Sequence, residues 1–145
     1  MADVRKTVDD LFAEACSRID RLDPSAAYED AGRGALILDI RADDSRRRDG
    51  VVPGALHIPR TVLEWRVDPD SAWHNEDVGD LDTRLIVICE HGNSSALAAS
   101  TLVELGFSRA ADVVGGFAAW QEAGLPVGPV HEQDRDGPPG FGPRD

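Results

Sequence analysis

Two kinds of apolar pattern alternate along the chain. Over residues 4 to 20, Val4, Val8, Leu11, Phe12, Ala15 and Ile19 recur at spacings of three and four, which predicts an amphipathic helix. Cys16 lies beside that stripe and reads as a packing residue. Asp23-Pro24-Ser25 opens a second helix, which Gly32 and Gly34 end. The pattern then changes to short, nearly solid apolar runs: Ala35-Leu36-Ile37-Leu38-Asp39-Ile40, Ala55-Leu56-His57-Ile58, Leu85-Ile86-Val87-Ile88 and Asp112-Val113-Val114. These predict strands. Helical stretches fall between and after them: a short one in Asp43 to Gly50, one in Thr61 to Arg66, one in Ser94 to Leu105 and one in Phe117 to Ala123. Gly106 closes the third of these where a left-handed residue is wanted, and Gly124 and Pro126 end the last. Val51-Val52-Pro53-Gly54 is a turn signal. Asp68 to Asp82 is acidic and patternless, so it reads as a long connection.

Solid apolar strands are those buried on both faces, as in parallel sheets, and strands that alternate with helices give a single α/β domain around a mostly parallel sheet. The expected organisation is an N-terminal helical extension (1–20), the α/β domain (21–127) and a tail (128–145). From Gly128 onward proline, glycine and charge dominate, so the tail is expected to be disordered. No internal repeat is present. In such folds ligands bind beyond the carboxyl ends of strands. Cys89 stands at one such end; Asp39 stands at another, with Arg41 just past it.

Composition narrows the partners. The chain has 145 residues, a net charge of −12 and a pI near 4.6. Nucleic acid and anionic membrane surfaces are therefore poor partners. No apolar run approaches the length of a membrane-spanning helix, and Met1-Ala2-Asp3-Val4-Arg5-Lys6 does not open a signal peptide. Two cysteines, Cys16 and Cys89, do not make a disulfide framework, which fits a reducing, cytoplasmic location. The acidic balance also repels an anionic substrate, so a site for one must carry its own positive potential. Arg41, Arg46, Arg47, Arg48, Arg60 and Arg66 fall in one stretch; Arg46-Arg47-Arg48 reads as a solvated helix face or turn.

The most informative segment is Cys89-Glu90-His91-Gly92-Asn93-Ser94-Ser95, between a buried strand and a helix. Backbone N–H groups at a helix N-terminus point at an anion, and the macrodipole favours negative charge there. A thiol in that position is favoured as thiolate, the nucleophilic form. Gly92 lets the backbone curl and Asn93 tolerates unusual φ, so the amides can converge as an anion nest. A cysteine after a strand can equally be a small buried hydrophobe, and the serines helix caps, so the loop alone leaves both readings open.

Four segments in order carry a resemblance: Leu36-Ile37-Leu38-Asp39-Ile40-Arg41, Val52-Pro53-Gly54-Ala55-Leu56-His57-Ile58-Pro59, Ile88-Cys89-Glu90-His91-Gly92-Asn93-Ser94-Ser95 and Gly115-Gly116-Phe117-Ala118-Ala119-Trp120. Together they resemble the rhodanese domain over roughly residues 20 to 127, and the cysteine loop is most similar to that of single-domain bacterial rhodaneses, which ends Gly-Asn-Ser-Ser. The resemblance implies a single rhodanese-like domain with a mostly parallel five-stranded sheet flanked by helices on both faces. It implies a sulfurtransferase that moves sulfane sulfur from thiosulfate or a similar donor, through a Cys89 persulfide, to cyanide or a thiol. That acceptor is a small molecule or a thioredoxin-like protein. Glu90, His91, Gly92, Asn93, Ser94 and Ser95 carry over as the loop around the persulfide, and neither metal nor organic cofactor is called for. Asp39 and Arg41 are supporting residues, read as pairing with neighbouring loops at the strand ends, and Arg60 and Arg66 are candidates for attracting the donor. His91 beside the nucleophile suggests a base, though a nest residue need not transfer protons. Trp120 reads as core.

Two departures stand out. Many family members have arginine at the place of Ser94, and Glu90 puts a negative charge directly after the nucleophile. A phosphatase or arsenate reductase of related fold would need Cys-x5-Arg; the sixth position after Cys89 is Ser95. A non-catalytic persulfide carrier or anion-binding regulatory module is the remaining alternative.

Overall fold

The computed structural model describes residues 4–131; the expected disorder of 132–145 lies outside them. Helix α1 (Val8–Arg18) is capped by Thr7, whose side chain accepts from the Asp10 amide while Asp10 accepts from the Thr7 amide. Strand β1 (Asp20–Leu22) follows, then α2 (Pro24–Gly32), β2 (Leu36–Asp39), α3 (Asp43–Asp49), β3 (Leu56–His57), α4 (Leu63–Val67), β4 (Leu85–Ile88), α5 (Ser94–Glu104), β5 (Ala111–Val113) and α6 (Gly116–Glu122). The five strands form one sheet in the order β1-β5-β4-β2-β3, every pairing parallel. None of the helices among the described residues is long and apolar enough to cross a membrane.

The sheet is buried on both faces because β2 and β4 are apolar on both. Leu38, Leu85 and Val87 face one side, where Leu63, Val67, Ala98, Ala99 and Leu102 from α4 and α5 cover them. Ile37, Ile86 and Ile88 face the other, under Ala27 of α2 and Phe117 and Trp120 of α6. Trp120 is fully buried, as expected of a core residue; its ring meets Tyr28 edge-on at 5.9 Å and its indole N–H donates to the Pro126 carbonyl at 2.8 Å. Gly128 exchanges both backbone hydrogen bonds with Val51, which ties the chain to the domain at that point.

Four of the strands lie where the apolar runs predict them. The fifth, β1, falls at the end of the segment read as helix. Helix α1 stops at Arg18, and three residues with Leu22 as the one apolar member suffice for an edge strand paired on one side. The apolar stripe of α1 is only partly used: Ala15 is buried, whereas Val4, Val8 and Leu11 are exposed. Arg46 corrects another expectation. Arg47 and Arg48 are solvated, but Arg46 is buried, its Nη1 donating to Asp43 at 3.0 Å and its Nε 3.7 Å from Asp39. The long connection is anchored rather than free. Arg66 is buried and donates to the Trp73 carbonyl, the Asn75 amide donates to the Arg66 carbonyl at 2.7 Å, and Val78 is buried. Arg66 thus holds the connection and does not line the cleft at Cys89, so its expected part in attracting the donor is withdrawn.

Candidate active site

Chain order sets the position of the site. From β2 the chain moves outward to β3, and from β4 it moves the opposite way to β5. The two central strands therefore diverge at their carboxyl ends, the usual ligand position in an open parallel sheet. Residues just beyond those ends, Ile40, Arg41 and Ala42 from β2 and Cys89 and Glu90 from β4, line a cleft of about 210 Å³ together with Ser45, Arg60 and Ser94.

Cys89 is nearly buried, and its Sγ accepts the amide N–H of Gly92 at 3.1 Å and of Ser95 at 3.3 Å. Ser95 is the second residue of α5, so the sulfur lies at that helix's N-terminus. Gly92 makes the curl with φ +88°; a Cβ there would stand 2.7 Å from the Gly115 nitrogen, so both the conformation and the close approach require glycine. Asn93 differs from expectation. It has an ordinary φ of −96° and no side-chain cap bond, so glycine alone turns the chain. The loop is also held from the far side. The Phe117 amide donates to the Cys89 carbonyl at 2.8 Å and that of Ala118 to the Glu90 carbonyl at 3.1 Å. Gly116 permits this approach, since a Cβ on it would lie 2.5 Å from the Cys89 oxygen.

Beneath the loop is a brace the sequence did not reveal. Arg21 of β1 forks onto Asp112 of β5 at 2.9 and 3.0 Å, and its Nη2 also donates to the Gly92 carbonyl at 2.7 Å. Asp112 in turn accepts the Ser95 hydroxyl at 2.8 Å. Both residues whose amides reach Sγ are thus tied to one ion pair. The Asp112 carboxylate raises the Arg21 pKa, chiefly through these hydrogen bonds. Phe12 of α1 packs its ring 5.1 Å from the Arg21 guanidinium, which connects the N-terminal helix to the loop. A lone aspartate in a buried strand was the available signal, because a buried carboxylate needs a partner; its partner is 91 positions away.

Of the other candidates, Asp39 and Arg41 form a buried fork, Nε to Oδ1 at 3.1 Å and Nη2 to Oδ2 at 2.9 Å, and Nη2 also donates to the Gly50 carbonyl at 2.8 Å. The Arg41 guanidinium lies 3.8 Å over the Phe117 ring. Glu90 turns its carboxylate toward Arg41, Oε2 to Nη1 at 3.7 Å. Arg60 lines the cleft but donates to Glu64 at 2.9 Å. Ser94 lines the cleft; His91 is exposed and does not.

His57 lies behind Arg41, buried, with its Nε2–H donating to the Arg41 carbonyl at 2.8 Å. Burial, reinforced by the Arg46 charge, lowers its pKa below the ordinary imidazole value. The unfolded chain therefore binds a proton that the folded chain refuses. This contribution to stability is complete above about pH 6.5 and is lost as pH falls through the lower folded value. Melting temperature is expected to fall as pH drops from about 6.5 toward that folded value, and more steeply than in His57→Gln.

The model of the family described as Rhodanese-like domain matches residues 23–123. A Haemophilus influenzae thiosulfate sulfurtransferase is 34% identical over 105 residues, 72% of this chain and 90% of the relative. One from Ectopseudomonas mendocina is 37% identical over 105 residues, 72% of this chain and 87% of its own. Among solved structures, a Rhodopseudomonas palustris protein described as of unknown function and a possible tyrosine phosphatase superimposes with TM-score 0.79 at 30% identity, covering 88% of this chain and 98% of that one. A polysulfide-sulfur transferase from Wolinella succinogenes gives 0.66 at 27%, covering 82% and 85%. Sequence and sheet topology agree, and the chain belongs to the family of rhodanese-like domains.

Proposed function

We propose that this protein is a sulfurtransferase in which Cys89 takes sulfane sulfur from thiosulfate, or a similar donor, and holds it as a persulfide for a thiophilic acceptor. The observation that carries this reading is the pair of amides on Sγ. They aim two donors at the sulfur that carries negative charge during attack and as an anionic persulfide after it, at a helix N-terminus that is already in place.

The thiolate attacks the outer sulfur of thiosulfate. A bond forms between Sγ and that sulfur, the donor's S–S bond breaks, and sulfite leaves with the bonding electron pair. The products are a Cys89 persulfide anion and sulfite, with total charge unchanged. Cyanide or a thiolate then attacks the outer sulfur and Cys89 departs as thiolate. The physiological acceptor on this reading is a thiol, small or on a thioredoxin-like protein. Ser95 stands where a Cys-x5-Arg phosphatase loop needs its oxyanion clamp, and its hydroxyl is engaged with Asp112, which weighs against phosphate chemistry.

Thiocyanate formation from thiosulfate and cyanide tests the reading. Turnover supports a catalyst, whereas one round of sulfur loading with no turnover supports the carrier alternative. Ser94 offers the cleft only a hydroxyl. Ser94→Arg is therefore expected to lower the KM for thiosulfate several-fold, measured by initial rates; an unchanged KM would show that position 94 does not meet the donor.

A further inference from the structure

We infer that Glu90 is a donor-selecting residue, which blocks the anion-recognising corner of Arg41 and turns the site from oxyanionic donors such as thiosulfate toward persulfides of uncharged thiols. The inference rests on the persulfide reading of Cys89 and names its donor class.

The Arg41 side chain is 1% exposed and lies over Phe117, so its position is fixed. Its Nε and Nη2 are occupied by Asp39 and the Gly50 carbonyl, but Nη1 has no hydrogen-bond partner. Buried polar groups are rarely left so, and this one belongs to a residue lining the same cleft as Cys89. The nearest anion is Glu90 Oε2 at 3.7 Å, too far for a hydrogen bond, and Oε2 is itself without a hydrogen-bond partner. Each atom is electrostatically matched and unsatisfied as a donor or acceptor. The Glu90 side chain is 32% exposed and has room to turn to water; Arg41 has none.

A sulfonate oxygen reaching Nη1 must displace this carboxylate or sit against it. The other arginines here give little help, since Arg60 is paired with Glu64, and Arg46 is shared by Asp39 and Asp43. With each cation matched by a carboxylate, the side chains add no net positive charge to that of the amides at the α5 N-terminus, which leaves a dianion poorly balanced in a chain of net charge −12. An alkyl persulfide, a monoanion at most and without sulfonate oxygens, makes a smaller demand. The Cys89 thiolate attacks its terminal sulfur, the R–S–SH bond breaks, and RS⁻ leaves with the electron pair to give Cys89–S–SH. The donor adds at most one negative charge to that of the thiolate, whereas thiosulfate brings two and releases dianionic sulfite beside Glu90.

Initial rates with thiosulfate and with 2-hydroxyethyl persulfide, for the parent and for Glu90→Gln, test this. The variant is expected to shift the ratio of the two KM values about tenfold in favour of thiosulfate, the effect of one partly screened charge. Sulfate, which cannot transfer sulfur, should protect Cys89 from alkylation at about tenfold lower concentration in the variant. Equal changes with both donors, or sulfate protection unchanged by the substitution, would overturn the inference. Failure of both donors to load Cys89 would overturn the persulfide reading instead, while the sulfate measurement still reports whether Glu90 competes for Arg41.

Discussion

Cys89→Ser is expected to abolish thiocyanate formation, with a loss of at least about a thousandfold, while leaving the fold in place. A serine hydroxyl stays protonated at neutral pH and is a far weaker nucleophile than a thiolate; His91 is exposed and outside the cleft, and Glu90, the carboxylate that does line it, faces Arg41. An oxygen in place of sulfur also cannot store sulfane sulfur as a persulfide. The substitution should cost little stability, because the hydroxyl is smaller than the thiol and can accept the same two amides. Activity is read by thiocyanate, integrity by melting temperature. Retained turnover would move the nucleophile elsewhere, and Cys16→Ser, at a half-buried position on α1, is the control expected to turn over like the parent.

Arg21→Ala is expected to damage stability and activity together. It strips the partner from Asp112, whose side chain is fully buried, and breaking a buried ion pair from one side costs about 3 kcal/mol or more. For a domain of this size that lowers the melting temperature by roughly 10 °C. The effect on sulfur transfer comes from the same contacts. Without Arg21 the Gly92 carbonyl loses its donor and Asp112 no longer holds Ser95 in a fixed place, so both amides on Sγ lose their support. At a temperature where the variant is folded, kcat should fall by about tenfold or more, as expected when a positioned donor loosens. Arg21→Lys should recover the charge but not the fork, restoring stability further than kcat. If Arg21→Ala kept full kcat, the brace would be structural only.

This brace also shows where the sequence stops being legible. Strands β2 and β4 announce themselves, because Leu36-Ile37-Leu38 and Leu85-Ile86-Val87-Ile88 are unbroken apolar runs, as strands covered on both sides need. The cysteine loop is legible as well, since glycine, serine and a helix start after a strand leave few other geometries. Strand β1 is not, being three residues on an edge with a single pairing partner. Yet it is the parallel register of β1 on β5, Arg21 opposite Asp112, that brings the brace together. Arginines show the same limit. Arg60 and Arg66 lie six positions apart on adjoining turns and look alike, but one faces the cleft and the other is buried under the long connection. Among Arg46, Arg47 and Arg48, only the one that α3 turns toward the sheet is buried. Such distinctions depend on which way a short helix faces, and a helix of two turns carries too few apolar residues to record it. Glu90 was legible as a charge beside the nucleophile. Its direction was not, because the Arg41 that attracts it arrives from another strand.

The central claim is that Cys89 carries sulfur. Intact-protein mass spectrometry after exposure to excess thiosulfate, followed by peptide mapping, tests it most directly. The account predicts one added sulfur atom, located on Cys89, absent from Cys89→Ser and removed by cyanide. An unchanged mass with thiosulfate and with an alkyl persulfide alike, or added sulfur located on Cys16, would contradict it.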